Sequence, residues 1–117
     1  MTDRDPDCLF CRIVADEIPS DRVYEDDEVI AFRDIAPRAP THVLVIPRRH
    51  VPDVDTLADD DASLLSALFA AVRRVAEIEG LAKGYRVVSN VGAESGQSVF
   101  HLHFHVLGGR RMSWPPG

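Results

Sequence analysis

The chain has 117 residues, a length that favours one domain over residues 1–117 with a modest hydrophobic core. Apolar residues make up 45% and charged residues 27%, the balance of a globular protein rather than a disordered or fibrous one. Acidic residues outnumber basic ones by 19 to 13, a formal charge of −6 that argues against general attraction to nucleic acid or anionic membranes, so an anionic substrate has to be held locally.

The N-terminus, Met1-Thr2-Asp3-Arg4-Asp5-Pro6-Asp7, is acidic and lacks the basic-then-apolar order of a secretory signal, which predicts a cytoplasmic location. Cys8 to Val14 is short and apolar and is broken by Pro19-Ser20, so a brief helix or turn is expected there. Val23-Tyr24, the acidic turn Glu25-Asp26-Asp27 and Val29 to Phe32 predict a hairpin. A loop through Pro37 and Pro40 follows. Thr41 to Ile46 is rich in β-branched residues and closed by Pro47, which fits a buried strand. The longest apolar runs are of this size, far short of the roughly 20 residues that span a bilayer.

From about Asp59 the spacing turns helical, with Leu64, Leu65, Leu68, Phe69, Val72, Val75 and Ala76 three and four residues apart. Asp59, Asp60 and Asp61 suit the positive end of that helix and Gly80 its termination. Tyr85 to Ser89 and Val99 to Leu107 are predicted strands on either side of a Gly92 to Gly96 loop. Strands around one long helix, with hairpin-length early connections, point to an α+β fold with a mainly antiparallel sheet of about five strands.

In Phe100-His101-Leu102-His103-Phe104-His105-Val106, a period of two puts three imidazoles on one strand face and four apolar residues on the other. The competing reading is an edge strand with surface histidines, but three of the chain's five histidines fall on these alternate positions. At a rise of about 3.3 Å per residue, His101 and His105 lie roughly 13 Å apart, so one metal cannot easily hold all three. A pair such as His101 and His103 could share an ion, but a central nucleophile with different neighbours on each side fits so long a face better. A neutral imidazole anchored at one nitrogen presents the other as a nucleophile near pH 7, and attack at phosphorus would give a phosphohistidine. Phosphoryl transfer also needs donors around the phosphate oxygens, which Asn90, Gly92, Gly96, Gln97 and Ser98 could supply; an ordinary glycine turn would look the same.

Cys8 and Cys11 have a spacing suited to metal binding or thiol redox chemistry, and equally to a reduced, buried thiol pair. A structural zinc site needs two further ligands, and no second pair at finger-like spacing is present.

His101-Leu102-His103-Phe104-His105-Val106-Leu107 resembles the signature of the histidine-triad family, three histidines alternating with apolar residues. The likeness extends through Ala31-Phe32-Arg33-Asp34-Ile35, Ala39-Pro40-Thr41-His42, Val45-Ile46-Pro47, Gly84-Tyr85-Arg86, Gly96-Gln97-Ser98 and Trp114-Pro115-Pro116-Gly117. It is nearest to the Hint branch, since the Fhit-like hydrolases and the galactose-1-phosphate uridylyltransferases usually carry glutamine where this chain has His105.

The resemblance implies a HIT-like fold with a short N-terminal helix, and a homodimer that hydrolyses the P–N bond of purine nucleoside 5'-phosphoramidates. His103 would be the nucleophile, His105 and Ser98 would lie around the phosphate or leaving group, and His42 would support the active-site histidines. Asn90, Gly96 and Gln97 would lie on the phosphate side and Asp34 would hold the ribose hydroxyls. Leu9, Phe10, Phe32 and Ile35 would line the base pocket, with core packing an equal reading for Phe32 and Ile35, and the tail at Trp114 would reach the partner's active site. Many bacterial relatives pair such cysteines with histidines at the positions of His50 and His101, which implies a structural zinc held by Cys8, Cys11, His50 and His101 and not needed for the chemistry. Hydrolysis of a dinucleoside polyphosphate is the enzymatic alternative. A nucleotide-binding interaction protein is the non-enzymatic one.

Overall fold

The computed structural model describes residues 6–117, so Met1 to Asp5 of the acidic N-terminal stretch lie outside the described residues. A short helix α1 (Leu9–Val14) comes first, followed by strands β1 (Arg22–Glu25), β2 (Val29–Arg33) and β3 (Thr41–Pro47). The long helix α2 (Ala62–Ile78) then leads to β4 (Tyr85–Val88) and β5 (Phe104–Gly108). The five strands form one antiparallel sheet in the order β1-β2-β3-β5-β4.

Alternation along the inner strands sorts their side chains between two cores. Val29, Ala31, Val43 and Val45 face α2 and pack with Leu64, Leu68, Ala71, Val72 and Val75. Ile30, Phe32, Leu44 and Ile46 face the other way and pack with Cys8, Phe10, Cys11 and Ile13 of the N-terminal segment. That double burial is why β3 is an uninterrupted apolar run rather than an alternating one. Helix α2 buries one stripe, and Leu68 alone, fully enclosed, contributes roughly 1.5–3 kcal/mol.

Two predicted boundaries move by more than one residue. The helix expected from about Asp59 opens with a 3-10 turn, Asp59–Asp61, and becomes α-helical at Ala62. Asp61 is drawn off the helix axis, accepting the Ala58 N–H at 2.9 Å and pairing with Arg49 at 2.6 Å. The strand expected over Val99 to Leu107 pairs only from Phe104, opposite Val45, although β3 itself continues to Pro47. Before Phe104 the backbone finds other partners: Leu102 N–H donates to the Val51 carbonyl at 2.6 Å, and the Ser89 hydroxyl donates to the His103 carbonyl at 3.0 Å. The division of faces persists through this irregular stretch, with Leu102, Phe104 and Val106 in the α2 core. Phe100, the fourth apolar residue of the pattern, is instead 52% exposed.

Candidate active site and metal centre

Where the chain leaves the sheet, the His101 carbonyl is free to accept a side-chain proton, and His103 Nδ1–H donates to it at 2.7 Å. That bond fixes the ring's tautomer and leaves Nε2 with the lone pair. Burial lowers the His103 pKa, against the opposing pull of its bond to His101 and of the Asp34 charge, so the ring is neutral at pH 7. The Phe10 ring meets it edge-on, with centroids 5.1 Å apart.

His105 is set by a second chain of hydrogen bonds. Arg38 N–H donates to His42 Nδ1 at 3.0 Å, so the His42 proton sits on Nε2 and is donated to His105 Nδ1 at 2.9 Å. His105 therefore carries its own proton on Nε2, a buried atom with no partner among the described residues. Burial, reinforced by His103 and His42, pushes the His105 pKa down to about 4. Asp34 Oδ2 lies 3.5 Å from His42 Nε2. Asp34, His42 and His105 are close enough to suggest a metal cluster, but Nε2 of His42 bears a proton while Arg38 donates to its other nitrogen, which makes this group a hydrogen-bond relay instead.

His103 and His105 line a cavity of about 790 Å³ on the α1 side of the sheet, together with Leu9, Phe10, Phe32, Asp34, Ile35 and Ser98. Phe10 and Phe32 serve as both core and wall, since both are buried and their rings make a T-shaped contact at 5.5 Å. Ile35 is fully exposed at the rim. Sequence reasoning missed Ile13, Ile18, Leu44 and Val99, which also line the cavity. Two of these carried a signal: Ile13 lies one helical turn beyond Leu9 and Phe10, and Leu44 shares a strand face with His42.

Other sequence candidates lie elsewhere. His42 stands behind His105 rather than on the cavity wall. Asn90 is half-buried beside Gly96, outside the lining. The Gly92–Ser98 loop spends several amides internally: Gly96 N–H donates to Ala93, Gln97 N–H to Gly92, and Gly92 N–H to the Gln97 side chain at 2.9 Å. The Gln97 amide nitrogen donates to the Pro52 and Val99 carbonyls, so this side chain holds the loop rather than facing the cavity. Trp114 is 80% exposed and lies against the Arg86 guanidinium, not in this chain's cavity.

Beside His103, Cys8, Cys11, His50 and His101 bring one ligand atom each within 4.8 Å of one another. His50 Nδ1 and His101 Nδ1 are 3.3 Å apart, Cys8 Sγ and Cys11 Sγ lie 3.3 and 3.5 Å from His101 Nδ1, and Cys11 Sγ is 3.3 Å from His50 Nδ1. A tetrahedral ion with Zn–N of about 2.0 Å and Zn–S of about 2.3 Å calls for ligand separations of about 3.3–3.8 Å, so the donors fit. His101 Nε2–H donates to the Pro47 carbonyl at 2.8 Å, the outer-shell bond that turns the Nδ1 lone pair toward the ligand cluster. Burial holds the ring's pKa down at about 4, which keeps that lone pair available.

Residues 15–112 match the HIT domain family. The chain belongs to this family. An uncharacterized HIT-like protein of Synechococcus elongatus is 49% identical over 111 residues, covering 95% of this chain and 97% of that protein. The crystal structure of a HIT family hydrolase from Legionella pneumophila superposes with a TM-score of 0.92 at 49% identity, over 95% of this chain and 100% of the other. A histidine triad protein from Clostridium difficile gives 0.90 at 40% identity, over 94% and 96%. The HIT domain match takes in all three triad histidines, whereas Cys8 and Cys11 precede it.

Proposed function

We propose that this HIT protein hydrolyses the P–N bond of purine nucleoside 5'-phosphoramidates, as in the Hint branch, through a nucleotidyl-His103 intermediate. The observation that carries this reading is the His103 Nδ1–H bond to the His101 carbonyl, which leaves a neutral ring with its Nε2 lone pair on a residue of the cavity wall. Attack by Nε2 forms an N–P bond as the bond to the amine breaks, and the amine departs with a proton. Water then adds at phosphorus, the Nε2–P bond breaks, and water's proton replaces the one carried away. The sum is one water consumed, one amine and one nucleoside monophosphate released.

The remaining cavity residues divide the substrate between them. His105 Nε2–H, directed by the His42 relay, and the Ser98 hydroxyl serve the phosphate and leaving group. Asp34 accepts from the ribose hydroxyls and the apolar walls take the base. When bound, a zinc ion at Cys8, Cys11, His50 and His101 supplies a structural link between the N-terminal segment and the sheet. We further propose a cytoplasmic homodimer, in which reducing surroundings keep both cysteines as thiols.

Rapid quenching with labelled adenosine 5'-phosphoramidate tests the mechanism. The label should be trapped on the protein in an acid-labile bond, and His103→Ala should abolish the adduct while lowering turnover by roughly 10³-fold or more. Near-normal turnover of that variant with no adduct in either protein would overturn it.

A further inference from the structure

His101 has two partners on two different tasks. Its ring belongs to the Cys8, Cys11, His50 cluster, while its backbone carbonyl is the acceptor that fixes the His103 tautomer. A second connection runs through α1. Cys8 caps this helix, its sulfur accepting the Cys11 N–H at 3.3 Å, and Phe10 sits between the two cysteines. The Phe10 ring touches His101 at 5.9 Å between centroids, His103 at 5.1 Å and Phe32 of the cavity wall at 5.5 Å, each edge-on. The segment that supplies two of the four ligands thus also supplies the wall against which the nucleophile leans.

We propose that the metal cluster and the nucleotide cavity are thermodynamically linked through the His101 carbonyl and the Phe10 ring, so that metal occupancy tightens nucleotide binding and holds His103 in its Nδ1–H tautomer. Phe10 is a positioning residue in this linkage. The inference rests on the nucleotide-binding reading of the cavity. An ion pulling Cys8 and Cys11 toward His50 and His101 seats α1, and the seated Phe10 edge fixes the rotation of both imidazoles. Linkage is reciprocal, so nucleotide must tighten metal binding by the factor by which metal tightens nucleotide binding.

The test measures zinc affinity by competition with a chromophoric chelator, with and without saturating adenosine 5'-monophosphate, and nucleotide affinity by calorimetry on loaded and stripped protein. Both constants should shift by the same factor, about fivefold or more. The ¹⁵N signals of His103 should report a single Nδ1–H tautomer in loaded protein and a mixture after stripping. Phe10→Ala should still bind zinc but lose the mutual effect, while Phe10→Tyr, which keeps the ring edge, should retain it. Circular dichroism on the stripped protein separates this linkage from folding: it should stay folded, and a stripped protein that unfolds would overturn the linkage, because the shared factor would then report folding alone. A zinc affinity indifferent to nucleotide, in a protein that binds both, would overturn the linkage and leave the proposed function standing. Absence of bound zinc would do the same. Absence of nucleotide binding in the loaded protein would overturn both.

Discussion

His42 Nε2 lies 2.9 Å from His105 Nδ1, and because Arg38 N–H already donates to the far side of the His42 ring, the proton between the two imidazoles belongs to His42. The direction of that one bond decides what His105 offers the cavity: an N–H donor rather than a lone pair. His42→Ala should therefore lower kcat by roughly 10–100-fold with a smaller change in KM, since the apolar base walls are untouched. It should also cost about 1–3 kcal/mol of stability, because the Arg38 N–H and His105 Nδ1 both lose their partner. Steady-state kinetics and urea denaturation on the same variant check both; a KM effect without a kcat effect would contradict the relay.

The relay also predicts how stability depends on pH. His105 is faced by His42 from β3, by Asp34 from the loop after β2 and by His103 ahead of β5, and its pKa is lowered from 6.5 to about 4 chiefly by burial. His42, faced by Asp34 and Arg38, is lowered as well, again chiefly by burial. In the unfolded chain these rings bind protons as pH falls below about 6.5, while in the folded protein His105 does not until about 4 and His42 titrates below its ordinary value. Stability should be highest above about pH 6.5, fall between 6.5 and about 4, and level off below. The buried His101 acts in the same direction, so the comparison that isolates the relay is wild type against His105→Gln, whose profile should be the flatter one. Parallel profiles would show that folding leaves the His105 pKa unshifted.

Gln97 gives a prediction that separates loop support from phosphate binding. Its side chain is buried and makes three hydrogen bonds, to Gly92 N–H and to the Pro52 and Val99 carbonyls. Gln97→Ala should cost roughly 1–3 kcal/mol by leaving these groups unpaired, with any rise in KM following the loss of loop order. Gln97→Glu, which can accept from Gly92 but cannot donate to two carbonyls, should be no better. A variant of wild-type stability with weakened phosphate binding would reverse the assignment.

Period and spacing made much of this legible. The unbroken apolar run of Val29 to Phe32 fits a strand buried on both faces, the helical spacing from Leu64 to Ala76 states directly which helix face is buried, and the five-strand α+β arrangement follows. The alternation of His101, His103 and His105 gave the correct side of the sheet even where the strand itself is absent, because local side-chain direction survives the loss of pairing. Gln97 and Gly96 were hidden for the opposite reason: their types suit a phosphate loop, but which partner an amide finds depends on Pro52 and Ala93 folding against them. The tautomers of His42 and His103 were equally out of reach, since each is set by a backbone group whose position only the folded chain defines.

The C-terminal tail yields the last prediction. Gly108 is the last buried residue, and beyond it the chain runs along the surface with Trp114 80% exposed. Arg86 of the edge strand β4 holds this segment: its Nη2 donates to the Ser113 carbonyl at 2.8 Å, and its guanidinium lies 6.0 Å from the centre of the Trp114 ring. So large an apolar group displayed on a strand edge, away from its own cavity, is suited to a partner's surface, which in the proposed homodimer is the mouth of the other active site. Deleting residues from Met112 onward should then leave stability within about 0.5 kcal/mol of wild type, because no buried contact is lost. The change should appear in selectivity. The ratio of kcat/KM for an aromatic-amine phosphoramidate to that for the unsubstituted one should fall several-fold, since only the bulky leaving group would reach the indole. Arg86→Ala, which loosens the tail without removing it, should shift the ratio in the same direction by less. A monomer in sedimentation at micromolar concentration, or a ratio unmoved by the deletion, would place Trp114 outside the site of either copy.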